Sequence, residues 1–349
     1  MKLLHIVRCY GPMGGMERYV WETTLELAKL GHEVQVLCEY CATEKPEGIK
    51  VHELGKMFYR PRWLYYWRFA WSVKKWLGSH PQPDWIIHSH ERVSVHDVTT
   101  FHGPPFASVR EKPWWKKVSL RVAMQLYMER RELRVAKCIV PNSSIIARQL
   151  TLYYPEYAEK LVQPVVPGVL PSAVREPRKV PRDGGIIGFV GKEWKRKGLQ
   201  KAVEIAAALR CARPNLEFHV VGPDKSEVQY LFSDWQGGYR LVGLSSHVKY
   251  AGFDVLLHPA IAEPYGMVIS EAMAACVPVV ISDACGAADQ VTLDAGTVLP
   301  LSSSIETWAD AVEHQLTRDT PVSRYEHGWE RVAQEYEHIY SEIFRNGMK

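Results

Sequence analysis

Two glutamates eight residues apart, Glu263 and Glu271, flank a glycine in the segment EPYGMVISE. The segment follows the apolar run DVLLHP, so we expect Glu263 in a strand-to-helix loop and Glu271 on the helix. Gly266 lets the backbone turn closely, and the free N–H groups of residues 267–269 suit a phosphate. The carboxylates would accept hydrogen bonds from hydroxyls, on a sugar and on a ribose. The alternative is a solvated loop glutamate and a helix-capping glutamate.

A second charged segment, GKEWKRKG at 191–198, follows another predicted strand, IIGFV. It carries four cations between two glycines at the carboxyl end of that strand. Lys192, Arg196 and Lys197 could neutralise a diphosphate, and arginine adds the geometry of a paired hydrogen bond. The alternative is a solvated basic turn.

The amino-terminal half offers a glycine loop and several histidines. The loop at 11–15 follows the first predicted strand, but it lacks the G-x-G-x-x-G pattern and indicates little by itself. His102 precedes Gly103 after another predicted strand, where it could form hydrogen bonds or transfer a proton at a ligand site. His88 and His90 follow a neighbouring predicted strand in the same way. A structural role is the alternative for each histidine.

Basic and aromatic side chains are interleaved in the same half. Residues 56–79 contain no acid, and Trp63, Trp67 and Trp71 share one face if the segment is a helix. Further basic clusters lie within 110–134. The cations are Lys56, Arg60, Arg62, Arg68, Lys74 and Lys75, then Arg110, Lys112, Lys116 and Lys117, then Arg130, Arg131 and Arg134. Such a surface suits an anionic membrane. The alternatives are a tryptophan stripe that faces the core, or a nucleic-acid partner.

Length and composition limit the class of protein. A chain of 349 residues with 46% hydrophobic and 23% charged residues indicates about two globular domains. Residues 1–172 carry 24 Lys and Arg against 16 Asp and Glu, whereas the remainder is net negative. Cys38 and Cys41 form a C-x-x-C without the second pair that a structural zinc site needs. No run approaches 18 apolar residues, and the first residues predict a strand, not a signal peptide. We therefore expect a cytoplasmic protein.

Strand and helix patterns alternate through both halves and predict an α/β fold. The predicted strands are 2–8, 32–37, 84–89, 97–101, 137–141, 185–190, 216–221, 254–258 and 277–282. The predicted helices are 17–30, 63–77, 114–134, 143–153, 199–211, 268–275 and a helical segment at 305–345. Five prolines between 164 and 181 indicate a linker. We therefore predict two doubly wound domains that face each other across a ligand cleft.

The predicted boundaries follow from this alternation. They are an amino-terminal domain at 1–166, a proline-rich linker at 167–182, a carboxy-terminal domain at 183–320 and a helical segment at 321–349 that returns to the first domain.

Together these motifs resemble the retaining glycosyltransferases of the GT-B fold, specifically glycosyltransferase family 4. The resemblance runs essentially from end to end. Its motifs are GPMGGMER, FHG at 101–103, GKEWKRKG, VVGPD at 220–224, FDVLLHPAIAEPYGMVISEAMA at 253–274 and the closing WERVAQEYEHIY. Within the family, the second half looks most like the lipopolysaccharide core glycosyltransferases. The resemblance implies two Rossmann-like domains, the first for the acceptor and the second for a nucleotide sugar.

The resemblance also implies roles for individual residues. Arg196 and Lys197 hold the donor diphosphate and balance charge on the departing nucleotide, with Lys192 as a helper. Glu263 contacts hydroxyls of the donor sugar, and Glu271 holds the ribose. The other implied donor-binding residues are Gly14, Gly15, Gly266, Met267, Val268 and Ile269. The implied catalytic residues are His102, Arg196, Lys197 and Glu263.

The implied reaction is a front-face transfer in which the leaving diphosphate accepts the acceptor's proton. The sequence has no D-x-D metal motif, so we expect no metal and no other cofactor, with the cations in that role. The sequence departs from the family pattern at two places, both in predicted loops. Lys192 stands where many members carry arginine, and GAADQ at 286–290 stands where many carry two glycines and a glutamate.

The resemblance further implies the partners. The donor is a nucleotide-diphosphate hexose, with UDP favoured and GDP-mannose open, and the acceptor is a lipopolysaccharide core or another lipid-linked or cell-surface glycan. Residues 56–79 and 110–134 would bind the cytoplasmic face of the inner membrane peripherally, and we expect no nucleic acid. Two other classes stay open: a sugar-nucleotide epimerase of the same fold, and a nucleic-acid-binding protein, which would leave the carboxylate pair unexplained.

Overall fold

The computed structural model describes residues 1–81, 83–116, 118–245 and 247–347, with the backbone alone at residues 62, 63, 116, 346 and 347. Contacts divide the chain into two compact units. The first unit is Met1–Gly168 with Gly328–Lys349, and the second unit is Val169–His327. Of the predicted basic and aromatic surface, Lys117 and the side chains of Arg62, Trp63 and Lys116 lie outside the described residues.

The first unit contains a parallel sheet with helices in the connections between strands. Its strands are β1 (Lys2–Tyr10), β2 (Glu33–Cys41), β3 (Lys50–Glu53), β4 (Ile86–Ser89), β5 (Val98–Phe101) and β6 (Cys138–Pro141). Its first helices are α1 (Met16–Lys29), α2 (Arg62–Ser79), α3 (Leu120–Val135) and α4 (Ser144–Tyr153). The order β3-β2-β1-β4-β5-β6 changes direction beside β1, as in a doubly wound fold.

The second unit repeats this topology. Its strands are β7 (Gly184–Val190), β8 (Asn215–Val221), β9 (Tyr239–Gly243), β10 (Val255–His258), β11 (Val279–Ser282) and β12 (Gly296–Leu299). Its helices are α5 (Leu199–Arg210), the short α6 (Lys225–Val228), α7 (Met267–Ala274) and α8 (Ile305–Thr317). The order β12-β11-β10-β7-β8-β9 changes direction between β7 and β10, which are paired in parallel. The predicted α/β class, with two Rossmann-like sheets, is thereby confirmed.

The last helix, α9 (Trp329–Gly347), belongs to the first unit. Tyr336 on α9 is buried, and its hydroxyl lies 2.8 Å from the hydroxyl of Tyr19 on α1 and 2.8 Å from Thr100 Oγ1 on β5. Trp329 packs so closely on Gly168 that a Cβ at residue 168 would lie 2.8 Å from the indole ring. Buried aromatic side chains therefore pack α9 into the first unit.

Several element boundaries differ from the predictions. The strands β3, β9 and β12 were not predicted, because each has only four or five residues and none is a continuous apolar run. The predicted helical segment at 305–345 is two helices, α8 and α9, separated by residues 318–328. The predicted helix at 114–134 begins at Leu120, because Ser119 caps it by accepting the N–H of Val122.

The proline-rich segment lies mostly with the second unit. Residues 169–182 belong to the second unit, and their side chains and backbone form hydrogen bonds to residues next to its sheet. Arg175 and Arg178 both contact Asp254 Oδ1, at 2.7 and 2.9 Å, and Arg175 N donates to Ala275 O. Asp254 precedes β10 and also accepts the N–H of Ile186 on β7. The segment that the sequence marks as a linker is thus attached to the base of the second sheet.

Candidate functional site

Two loops of the second unit emerge side by side, because β7 and β10 are paired in parallel. The loop after β7 holds residues 191–198, and the loop after β10 holds Glu263 and leads into α7. The loops also contact each other, since the N–H of Ile261 donates to the carbonyl of Arg196 at 2.9 Å. The two charged segments singled out in the sequence are therefore brought together at the carboxyl edge of the sheet.

Glu263 is the centre of a compact charge cluster. Its Oε2 lies 2.8 Å from Lys197 Nζ, 3.4 Å from Arg196 Nη1 and 3.6 Å from His258 Nε2. The Glu263 side chain is 8% exposed and that of Lys197 is 12% exposed, so the pair is largely shielded from water. Arg196 also contacts Glu193 and donates to the carbonyl of Ala262, so its guanidinium is held in place from two sides.

The surroundings fix the charge state of this cluster. Burial would raise the pKa of Glu263, but His258 and Lys197 together outweigh it and hold that pKa well below its usual range. Burial lowers the pKa of His258, so this imidazole is neutral. Glu263 is therefore a carboxylate throughout the physiological range, able to accept hydrogen bonds from hydroxyl groups.

Glycine allows the loop after β7 to press against the end of β10. Gly198 starts α5 with φ +77°, in the left-handed region. A Cβ at this position would lie 2.0 Å from the carbonyl oxygen of Pro259. Only glycine satisfies both conditions, and the close approach keeps Lys197 beside Glu263.

The start of α7 adjoins the same carboxylate. Gly266 has φ +96°, and a Cβ there would lie 3.0 Å from Glu263 Cγ. The first-turn amides of Met267 and Val268 have no acceptor within the helix, so they suit an anion. The amide of Ile269, by contrast, donates to the carbonyl of Gly266 at 2.9 Å. Of the predicted phosphate-binding amides, Ile269 is thus engaged within the protein.

Glu271 lies further along α7 and has a partner that the sequence analysis missed. The hydroxyl of Tyr250 donates to Glu271 Oε2 at 2.6 Å, which orients the carboxylate. His258 is the second missed residue, at the end of β10 and fully buried against Glu263. The sequence offered one signal for His258, which stands directly before Pro259 at the end of an apolar run. It offered none for Tyr250, because Tyr250 is 21 residues from its partner Glu271.

The remaining predicted site residues are distributed over both units. Lys192 is exposed in the loop after β7. Gly14 and Gly15 stand directly before α1 in the first unit, where Gly14 has φ +86° and Gly15 is the residue before the first helical turn. His102 follows β5 in the first unit.

His102 is partly buried and contacts a cluster of buried histidines. Its Nε2 lies 2.9 Å from His90 Nδ1, and His90 Nε2 lies 3.1 Å from His5 Nδ1. His88 stands beside this row and bonds to the hydroxyls of Tyr340 at 2.6 Å and Thr100 at 2.8 Å. Burial lowers the pKa of His5 and of His102 to about 3, so both are neutral.

By distance, one nitrogen from each of His5, His88 and His90 could hold a metal ion, since such atoms lie within 4.8 Å of one another. However, both nitrogens of His88 and both of His90 are already bonded to protein groups. A cation would have to displace those bonds, so the cluster fits a hydrogen-bonded core better than a metal centre.

The basic and aromatic surface has a clear orientation along α2. Tyr65, Phe69 and Val73 are buried, whereas Trp67 and Trp71 are exposed. The described part of the tryptophan stripe therefore faces solvent, and the alternative in which it packs in the core is wrong for these two residues. Within the described residues, no helix is long and apolar enough to cross a membrane.

Two families of known proteins match this chain. Residues 13–169 match Glycosyltransferase Family 4, and residues 173–327 match Glycosyl transferases group 1. The lipopolysaccharide glucosyltransferase WaaG of Escherichia coli is 23% identical over 338 residues, which cover 88% of each chain. A D-inositol 3-phosphate glycosyltransferase of Saccharomonospora viridis is 24% identical and covers 94% of this chain and 89% of its own.

Solved structures agree on the fold. The crystal structure of WaaG superimposes with a TM-score of 0.75 at 20% identity and covers 96% of this chain and 94% of its own. The structure of Anabaena HepE in complex with UDP has a TM-score of 0.69 at 16% identity and covers 98% of this chain and all of its own. With both halves of the chain matched in order, this protein belongs to the GT-B glycosyltransferases that join a family 4 domain to a group 1 domain, and it is a hexosyltransferase.

Proposed function

We propose that this enzyme transfers a hexose from a UDP-sugar to a lipopolysaccharide core or another lipid-linked or cell-surface glycan, with retention of the anomeric configuration. The relative WaaG is named for lipopolysaccharide and glucose and matches over 88% of both chains. The fold relative HepE was solved with UDP. GDP-mannose stays open, because a GDP-mannose-dependent mannosyltransferase of Mycolicibacterium smegmatis is 34% identical over 36% of this chain.

The observation that carries the proposal is the cluster of Glu263, Lys197 and Arg196 beside the start of α7. It combines two fixed cations, a carboxylate that stays ionised and the first-turn amides of a helix. A nucleotide-diphosphate sugar needs these three groups, for the diphosphate, for the sugar hydroxyls and for a phosphate oxygen.

The cluster offers a group for each part of the donor. The diphosphate would lie against Arg196 and Lys197, with exposed Lys192 as an additional cation. Glu263 would then accept hydrogen bonds from hydroxyls of the sugar. Glu271, oriented by the hydroxyl of Tyr250, would accept hydrogen bonds from the ribose.

The proposed chemistry is a front-face displacement. The bond from the anomeric carbon to the phosphate oxygen breaks, the bond to the acceptor oxygen forms on the same face, and the acceptor's proton passes to the leaving phosphate. Arg196 and Lys197 stabilise the charge that develops on the diphosphate, which is the role a metal ion has in other transferases. His102, Gly14 and Gly15 of the first unit are the proposed further contacts of the donor.

The acceptor side of the proposal depends on the first unit. Exposed aromatic residues on α2 and in the turn Trp114–Lys116 accompany the cations of 56–79 and 110–134. Indole rings at headgroup depth and cations near anionic lipids would keep the enzyme on the cytoplasmic face of the membrane, where a lipid-linked acceptor is found.

Thermal unfolding with UDP, GDP, ADP and their common sugar conjugates tests the donor site. A ligand that binds the folded protein at a hundred times its Kd stabilises it by about 2.7 kcal/mol, so the midpoint should rise with one nucleotide family. Glu271→Ala should abolish the shift, whereas Glu204→Ala, an exposed glutamate on α5, should retain it.

The absence of any shift on folded protein would contradict the proposal. Product analysis with the bound sugar nucleotide then tests the reaction. Transfer should require a glycan acceptor, and conversion of the sugar nucleotide without one would favour the epimerase.

A further inference from the structure

A row of three histidines in the first unit ends at His102. His5 lies within β1, His90 follows β4 and His102 follows β5, on three adjacent strands. Two direct contacts join them: His5 Nδ1 to His90 Nε2 at 3.1 Å, and His90 Nδ1 to His102 Nε2 at 2.9 Å. Each contact needs one N–H and one lone pair, so the proton positions along the row depend on one another.

All three imidazoles are neutral. Burial lowers the pKa of His5 and His102 to about 3 and lowers that of His90 well below its usual value. A neutral imidazole has one N–H and one lone pair. Both hydrogen bonds must therefore run in the same direction, either outward from His5 to His102 or inward from His102 to His5.

The surroundings of His5, at the inner end of the row, indicate the direction in which the two hydrogen bonds run. His5 Nε2 is buried, and no described residue offers it a hydrogen bond. In the inward direction this nitrogen would carry an unpaired buried N–H, whereas in the outward direction it holds only an unused lone pair. Orphaned buried donors are rarer in proteins than under-satisfied acceptors, so the outward direction is favoured. His5 then donates to His90, and His90 donates to His102 Nε2.

We infer that His5 and His90 are positioning residues that hold His102 as the tautomer protonated on Nδ1. No described residue bonds to this nitrogen, which leaves its N–H for a ligand. With the proposed function as the basis, His102 would meet the donor sugar or its phosphate as a hydrogen-bond donor to an oxygen. In this tautomer it would not act as a base, because Nδ1 carries the proton and the Nε2 lone pair accepts from His90.

The neighbouring His88 provides a matched control. It is as buried as His90 and two residues away in the sequence, yet its nitrogens bond to Tyr340 and Thr100 and not to the row. His88→Leu and His90→Leu therefore remove the same imidazole from the same region of the core. Only His90→Leu interrupts the connection from His5 to His102.

Nitrogen NMR of the full chain labelled with ¹⁵N-histidine measures the tautomers directly. His102→Gln identifies the His102 signals by their disappearance. We expect protonated Nδ1 and unprotonated Nε2 at His102 in the unmodified protein and in His88→Leu. In His90→Leu, both tautomers should be populated. Protonation of His102 on Nε2 in the unmodified protein would overturn the inference, as would an unchanged single tautomer in folded His90→Leu.

Kinetics with the donor found in the nucleotide panel adds a second readout. His90→Leu should lower kcat by about tenfold or more with little change in the donor KM, whereas His88→Leu should change kcat by less than about threefold. If no nucleotide binds, the proposed function fails while the tautomer measurement still decides this inference. If donors bind but His102 is protonated on Nε2, only the inference fails.

Discussion

Glu263 is a nearly buried carboxylate, and its neighbours determine whether such a charge is tolerated. A carboxylate removed from water costs several kcal/mol unless opposite charges offset the loss of hydration. Lys197 at 2.8 Å and Arg196 at 3.4 Å provide that offset when no donor is bound. In the proposed reaction the same two cations bind the donor diphosphate, and Glu263 would keep them ordered before the substrate arrives.

Lys197 is therefore expected to affect both stability and turnover, because its removal leaves the buried Glu263 carboxylate with Arg196 as its remaining cation. Lys197→Ala should lower kcat by about two powers of ten, the scale of losing one contact to charge that develops in the transition state. Lys195→Ala removes an equal charge from the same loop, where Lys195 lies over the ring of Trp194, and should have little effect. Steady-state kinetics of both variants distinguishes them, and near-normal turnover of Lys197→Ala would refute its assignment.

The buried histidines should make stability depend on pH. The pKa of His5 is about 3 in the folded protein and 6.5 in the unfolded chain. Above pH 6.5 both states are neutral at this residue and its contribution is fully present. As the pH falls from 6.5 toward 3, the unfolded chain gains a proton that the folded protein excludes, and about 1.4 kcal/mol is lost per pH unit.

Unfolding midpoints at pH 7.5, 6 and 5 test this dependence. His5→Phe should reduce the fall in midpoint between pH 7.5 and 5 relative to the unmodified protein. His338→Gln, at an exposed position on α9, should leave the fall unchanged. Equal pH dependence in His5→Phe and the unmodified protein would show that His5 is not excluded from protonation in the fold.

At the scale of elements, the start of α7 depends on one glycine. Gly266→Ala would place a Cβ 2.9 Å from Ile269 Cδ1 and 3.0 Å from Glu263 Cγ, in a residue with φ +96°. The strain should cost about 1–3 kcal/mol and displace the Glu263 side chain. We expect a lower unfolding midpoint and a weaker shift with the nucleotide.

Gly252→Ala is the control for this substitution, because a Cβ there meets no atom within 4 Å. Calorimetric titration with the nucleotide from the panel should show unchanged affinity for Gly252→Ala and reduced affinity for Gly266→Ala. Equal affinity in both variants would mean that the geometry at Gly266 does not support donor binding.

The alternating elements of both halves could be predicted because long buried strands and amphipathic helices have distinct periods. The strands β3, β9 and β12 could not, since they lie at or near sheet edges and depend on pairing with a neighbour. The two charged loops were found from spacing, because each follows a strand that is apolar in the sequence. Tyr250 was missed, since its role arises only when it meets Glu271, 21 residues away. His258 was missed although its place before Pro259, at the end of an apolar run, was a usable signal.

Helix α2 shows that residue spacing alone does not predict which face of a helix is buried. Tyr65, Phe69 and Val73 are four residues apart, and so are Trp67 and Trp71. Both stripes have helical spacing and large apolar side chains, so periodicity alone predicts two candidate buried faces. In the structure, the first stripe packs in the core and the second is exposed. The choice is made by the sheet beneath the helix, which the spacing does not encode.

At the scale of the whole molecule, positive charge and exposed aromatic side chains are concentrated in the amino-terminal half. Residues 1–172 have a net charge of +8, whereas the remainder has −4. Trp67, Trp71 and two tryptophans of the turn Trp114–Lys116 are exposed in the first unit. Each cation near an anionic lipid surface contributes about 1 kcal/mol, and a buried indole adds apolar area. Membrane binding should therefore require this surface and anionic lipid together.

Sedimentation with phosphatidylglycerol-containing vesicles tests the surface. We expect the full chain to bind these vesicles, to bind less as salt rises, and to bind phosphatidylcholine vesicles weakly. The double variant Trp67→Ser with Trp71→Ser should lose most of the binding. Tyr230→Ser with Leu244→Ser, at exposed positions of the second unit, removes comparable apolar surface and should bind normally. Equal vesicle binding of the two double variants would show that Trp67 and Trp71 do not bind the membrane. Binding of the glycan acceptor would then be the remaining proposed role of this surface.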